Sequence, residues 1–168
     1  MAKAKLMTVV IADAGPLIAL SRIGKLDLLQ QLFQQIIITT TVRDEILENE
    51  HCKGKVEVIK AINAGWVKVQ GVNMIDWKTI NTGVDAGEAS SIYLALQMPD
   101  TILIIDDQAG RAEAKYQKIT ITGTAAVIGM AKIQGYILSA GDVLHSLRET
   151  GYYIGDAIVE LVLRDVGE

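Results

Sequence analysis

Short runs of β-branched and aliphatic residues alternate along the chain with longer amphipathic stretches. Thr8–Ala12 (TVVIA), Ile36–Thr39 (IIIT), Trp66–Gln70 (WVKVQ), Thr101–Ile105 (TILII) and Ile119–Ile121 (ITI) read as strands. Three of these are apolar almost without alternation, as expected when helices cover both faces of a parallel sheet. Between them, helical periodicity covers roughly 16–33, with a break near Gly24, then 41–49, 54–63, 85–98, 108–117 and 123–134. Two further helices are predicted over 140–149 and 155–166, with turn signals at Ser139–Gly141 and Gly151. Alternating β and α elements predict an open α/β sandwich with right-handed crossovers. The last two helices would pack on its flank or on a second subunit.

Composition narrows this picture only a little. The 168 residues, half of them apolar, are enough for one sizeable core. Only two prolines occur and no linker, low-complexity tract or repeat stands out. We therefore expect a single domain over 1–168, with 139–168 as a C-terminal helical extension. Charge changes the picture more. At a formal net charge of −4, the chain does not hold nucleic acid through bulk positive charge. Such contact needs a local basic patch, or metal ions that reverse the sign of an acidic site. The lone Cys52 cannot form an internal disulfide and points to a reducing compartment. The apolar run near the start is cut short by Asp13 before a signal-peptide core is complete. No segment approaches the roughly 20 apolar residues needed to span a bilayer, so a soluble, cytoplasmic protein is expected.

Candidate chemistry comes from carboxylates at strand ends. In an open parallel sheet, ligands bind at the carboxyl edge of the strands. Asp13 directly follows TVVIA, and Asp106 and Asp107 directly follow TILII. Carboxylates gathered there repel unless a cation lies among them. Glu88, in the first turn of DAGEASSIYLAL, shares a face with Ile92 and Ala95 and would lie against the sheet. Glu45 lies in the helix after the second strand, near the same edge. Oxygen ligands with no His or Cys beside them suit Mg²⁺ or Mn²⁺, which could activate water in phosphodiester hydrolysis. Each acid also has a plainer role. Asp13 could cap the helix beginning at Pro16, and Asp85 with Glu88 could form a capping box. Glu45 is favoured in a first helical turn by the helix dipole. Asp106 and Asp107 could divide the work, Asp106 as ligand and Asp107 as N-cap.

Taken together, VVIADAGPLIALSRIGKLDLL, TTVRDEIL, DAGEASSIYLAL and TILIIDDQAGRAEAKYQKITITGT resemble the PIN domain, within it the DUF3368 or VapC-like group. The resemblance covers nearly the whole chain. It implies a three-layer α/β/α sandwich with a mostly parallel sheet of about five strands. It also implies a metal-dependent endoribonuclease, with Asp13, Glu45, Glu88 and Asp106 as the catalytic acids and Asp13, Glu88 and Asp106 as Mg²⁺ or Mn²⁺ ligands. An RNA substrate, a homodimer and a small antitoxin partner are further implications. The chain departs from the family at Gly15, where PIN domains usually carry Ser or Thr. The counterpart of an additional acid is either Asp107 or the hydroxyls of Thr122 and Thr124.

Arg43, Arg111, Lys115 and Thr124 are the candidates for substrate contact. Arg111 and Lys115 share a helix face that could hold a phosphate backbone or simply be solvated. Thr124 could supply a hydroxyl to the site or cap the next helix. His51, His145 and Cys52 lack metal-spaced or catalytic neighbours and read as structural. Two other readings stand beside the nuclease. One is a catalytically silent PIN fold that binds nucleic acid or protein. The other is a receiver-like domain, which needs paired acids after the first strand and a lysine after the last, and this chain has neither.

Overall fold

A computed structural model describes residues 8–73 and 83–168. Five strands form one sheet: β1 (Val9–Ala12), β2 (Ile36–Thr39), β3 (Val67–Gln70), β4 (Thr101–Ile104) and β5 (Thr120–Thr122). Their order is β3-β2-β1-β4-β5 and every pairing is parallel. Ala12 stands opposite Ile104 in the β1–β4 ladder. That pair has a functional consequence. The chain winds outward from β1 through β2 to β3, then crosses back to place β4 on the other side of β1. The strand order reverses between β1 and β4, and at such a switch point the connections diverge and leave a crevice beyond the strand ends. Asp13 and Asp106 flank it.

Helices follow or precede each strand. The stretch expected to break near Gly24 is two helices, α1 (Ala14–Arg22) and α2 (Asp27–Phe33), separated at Gly24, whose φ is 66°. Helix α1 starts at Ala14, two residues before Pro16, because a first-turn N–H has no intrahelical partner to lose. Next come α3 (Thr40–Glu48) and α4 (Lys55–Ala64). Thr39, the last residue of β2, caps α3 by accepting from the Val42 amide at 3.0 Å. Strand and helix thus meet without a loop, which holds Glu45 close to the sheet edge. The remaining helices are α5 (Ala86–Gln97), α6 (Gln108–Tyr116), α7 (Thr124–Ile133), α8 (Ala140–Glu149) and α9 (Asp156–Val166).

The absence of alternation in the strands now has its cause. Val10 and Ala12 of β1, Ile36 and Ile38 of β2 and Ile104 of β4 face one core, closed by α1, α2, α4 and α7. Ile11 and Leu103, one residue out of phase, face a second and smaller core with Ile92 of α5 and Ala114 of α6. This is the expected three-layer α/β/α sandwich. Helices α8 and α9 pack on α7, and α8 also touches α1. Their joint is pinned twice. Glu168 accepts from the amides of Ala140 and Gly141 at 2.9 and 2.8 Å. Arg148 donates to the Ile154 carbonyl and pairs with Asp156 across the α8–α9 turn.

Leu103 is fully buried in the interior strand β4. Leu103→Ala should cost about 2–5 kcal/mol, since β4 is held on both edges and cannot collapse into the void. Urea denaturation checks this. A loss under 1 kcal/mol would mean that the smaller core is loosely packed.

Candidate active site

Asp13 is the innermost acid. It occupies the N-cap position of α1, yet its side chain makes no capping hydrogen bond. The residue is 7 % exposed, and Oδ1 is buried with no hydrogen-bond partner among the described residues. Burial pushes its pKa up to about 8; the Ala14 amide opposes the rise, and the negative charges of Glu88, Asp85 and Glu45 add to it. Capping, the plainer role open to Asp13, is thus not the one its side chain performs.

Glu88 does take its plainer role. Asp85 Oδ1 accepts from the Glu88 amide at 2.8 Å and Glu88 Oε2 accepts from the Asp85 amide at 3.2 Å, a complete capping box. The box also aims Glu88 inward. Its side chain is 6 % exposed, and burial, followed by the charge of Asp85, raises its pKa to about 7. Glu45 comes from the other wall. Its Oε2 rests against the backbone of Gly87, where a β-carbon would lie within 2.4 Å, so the glycine is what lets α3 and α5 approach. Partial burial and then Asp85 raise its pKa. Beside these acids runs a groove of about 550 Å³, lined by Asp44, Glu45, Glu48 and Asp85.

Asp106 and Asp107 divide as the sequence allowed. Asp107 caps α6, accepting from the Gly110 amide at 3.1 Å. Asp106 turns the other way, toward α7. Its Oδ1 accepts from the Thr124 amide at 2.8 Å and its Oδ2 from the Thr124 hydroxyl at 2.5 Å. The Tyr152 hydroxyl donates to the same Oδ2. Burial and the charge of Asp106 hold the phenol well above its usual pKa, so it remains a donor. Thr124 serves the acid rather than capping the helix, whose N-cap is Gly123.

The basic candidates fare differently. Arg111 donates to the Ile105 carbonyl at 2.8 Å, and its guanidinium and Asp106 Oδ1 both crowd Gly123, so it borders the crevice. Arg43 is paired with Asp44 at 2.7 Å, at the lip of the acidic groove. Lys115 lies in the last turn of α6, where the chain turns back toward β5, at the end of the helix far from the strand ends that carry the acids. A shared helix face does not imply a shared end of the sheet. Two site residues escaped the sequence reading. Asp85, taken only as a cap, is a principal source of negative charge on Glu45 and Glu88. Tyr152 is 46 residues from Asp106, and no local pattern marks it.

The profile of DUF3368, a PIN domain, matches residues 9–168. The chain belongs to the PIN-domain family. No curated protein matches it significantly. A PIN domain is a nuclease-type fold, and its members typically use divalent metals, so the donor set here can be judged for fit. Carboxylate oxygens, one of them buried and unpartnered, with pKa values raised by burial and then by neighbouring negative charge, match a hard divalent cation. Among the described residues no group of three His, Cys, Asp or Glu stands ready to enclose an ion. Glu88 and Asp106 are instead engaged with the Asp85 amide and with Thr124 and Tyr152, and shared coordination would compete with those bonds.

The raised pKa of Asp13 gives this PIN domain a pH signature. Folding lifts the group from 3.8 to about 8, so the folded state binds the extra proton across that window. Its contribution to stability is full below pH 4 and is lost as pH rises toward 8. Asp13→Asn removes the titration. In EDTA at pH 8 the variant should melt roughly 3–10 °C above wild type, equivalent to about 1–3 kcal/mol for a domain of this size. The difference should close near pH 4. Circular dichroism melts over this range check it, and a difference independent of pH would contradict burial as the cause.

Proposed function

We propose that this PIN domain is a Mg²⁺- or Mn²⁺-dependent endoribonuclease acting at the crevice between β1 and β4. The observation that carries the reading is the buried, unpartnered Oδ1 of Asp13 beside Glu88, Glu45 and Asp85, an arrangement that lacks only positive charge. Asp13, Glu88 and Asp106 would hold the cation, with Glu45 catalytic beside them. When bound, the cation would supply Lewis acidity to the phosphodiester and activate water. The chain's own contribution is to exclude solvent from Asp13 and to hold the acids on opposite walls. Arg111 would steady a phosphate at the crevice. Arg43 could do so only by giving up Asp44, and Lys115 would meet the backbone further along α6. The acidic groove beside Glu45 disfavours RNA unless cations bridge the two, which ties substrate binding to metal. Resemblance to VapC-like proteins extends the proposal to a cytoplasmic toxin, a homodimer and a small antitoxin partner. Among the described residues no helix is long and apolar enough to cross a membrane.

A specific observation favours a second reading, in which the fold binds RNA or a partner without cutting. Both acceptor directions of Asp106 Oδ2 are taken, by Thr124 and Tyr152.

Labelled single-stranded RNA incubated with the purified protein and Mn²⁺, Mg²⁺ or EDTA separates the two. Cleavage should require the metal, and Asp13→Asn and Glu88→Gln should each lower the rate roughly a hundredfold or more, since each removes a charge that holds the cation. Undiminished cutting by both folded variants would sink the site. Binding of RNA without cleavage by the wild type would favour the second reading.

A further inference from the structure

Tyr152 touches the carboxylate site from outside the sheet and the helices that follow its strands. It belongs to the turn between α8 and α9, far along the chain from every acid of the crevice. Three observations place it there by construction. Its hydroxyl donates to Asp106 Oδ2. It lies beside Gly15, where a β-carbon would stand 3.8 Å from the phenol oxygen, at ordinary van der Waals contact. Its turn is anchored on both sides, by Arg148 to the Ile154 carbonyl at 2.6 Å and by the Thr150 hydroxyl to the Leu147 carbonyl at 2.6 Å.

Counting acceptor directions shows what the phenol does to Asp106. A carboxylate offers about four, two on each oxygen. The Thr124 hydroxyl and Tyr152 fill both on Oδ2, and the Thr124 amide fills one on Oδ1. One direction on Oδ1 is left. Without Tyr152 the carboxylate would retain bonds to Thr124 alone, a single residue about which it could tilt.

We propose that Tyr152 is a positioning residue of the carboxylate site, a hydroxyl delivered beside Gly15 by the turn between α8 and α9 to fix Asp106 with one oxygen presented to a divalent cation. The inference rests on the metal-site reading above. Outer partners of metal-binding carboxylates typically change affinity ten- to a hundredfold when removed.

Mn²⁺ binding, followed by the electron paramagnetic resonance signal of free Mn²⁺, is the test. Metal-free melting curves report folding alongside it. Tyr152→Phe should bind Mn²⁺ roughly ten- to a hundredfold more weakly than wild type. In the Tyr152→Phe background, Gly15→Ser should recover part of that affinity by returning a hydroxyl to the vacated gap, and Gly15→Ala should recover less. Unchanged or tighter Mn²⁺ binding by Tyr152→Phe would overturn the proposal. So would recovery by Ala equal to that by Ser, which would make the effect one of packing. Wild type that binds no Mn²⁺ would overturn the metal-site reading, and this inference with it; Asp13→Asn provides the comparison for that case.

Discussion

A carboxylate buried where nothing neutralises it is the constraint on which the crevice depends. Asp13 must follow β1 because the chain leaves the central strand there, and β1 is flanked on both edges, so the side chain cannot escape sideways to water. An ionised carboxylate in such a place is expensive, and a protein can meet that cost by a proton, a hydrogen bond or a cation. Here the hydrogen bonds fall short by one oxygen. The neighbouring acids make the shortfall worse, since Glu88, Asp85 and Glu45 all add negative charge toward Asp13. A proton or a divalent ion is what remains.

That the fold tolerates so many acids at one edge follows from the same topology that creates the crevice. In a parallel sheet, each helix that follows a strand begins at the carboxyl edge. Helices α1, α3, α6 and α7 therefore direct their N-terminal amides and positive dipole ends toward it. Acids there serve two purposes. Asp107 caps α6, Asp85 and Glu88 cap α5, and Asp106 receives the first amide of α7. Capping and ligation are thus not rival explanations for Glu88, because the bond to the Asp85 amide is also what turns its side chain inward. Asp13 is the exception: it stands at a helix start and makes no capping bond.

The helices α8 and α9 connect to this chemistry through a single side chain. Both pack against α7, and α8 also against α1, the two helices that begin beside Asp106 and Asp13, so their turn reaches the crevice from outside the sheet. Arg148 holds that turn in place, and Glu168 ties the far ends of the two helices together. The C-terminal part of the chain is therefore both a cover for the larger core and the source of a hydrogen-bond donor at the site.

The strands, the helices and the edge at which the acids gather were legible in the sequence, because each depends on neighbours within a few residues. Unalternating TVVIA and TILII encode a doubly covered sheet, and an aspartate after each is at the carboxyl edge whatever the fold's details. Strand order reverses between β1 and β4 through a choice of crossovers that leaves no local trace, so the meeting of Asp13 with the region of Asp106 required the tertiary structure. Local periodicity also misplaced Lys115, since it records the face of a helix and not which end of the sheet that face overlooks. Tyr152 lay beyond any local reading, because its partner is 46 residues away and only the packing of α8 and α9 brings the two together. Sequence alone determined which residues carry charge and where each strand delivers them. Only the packing of nine helices (among the described residues) decided which charges are buried, which are capped, and which oxygen is left without a partner.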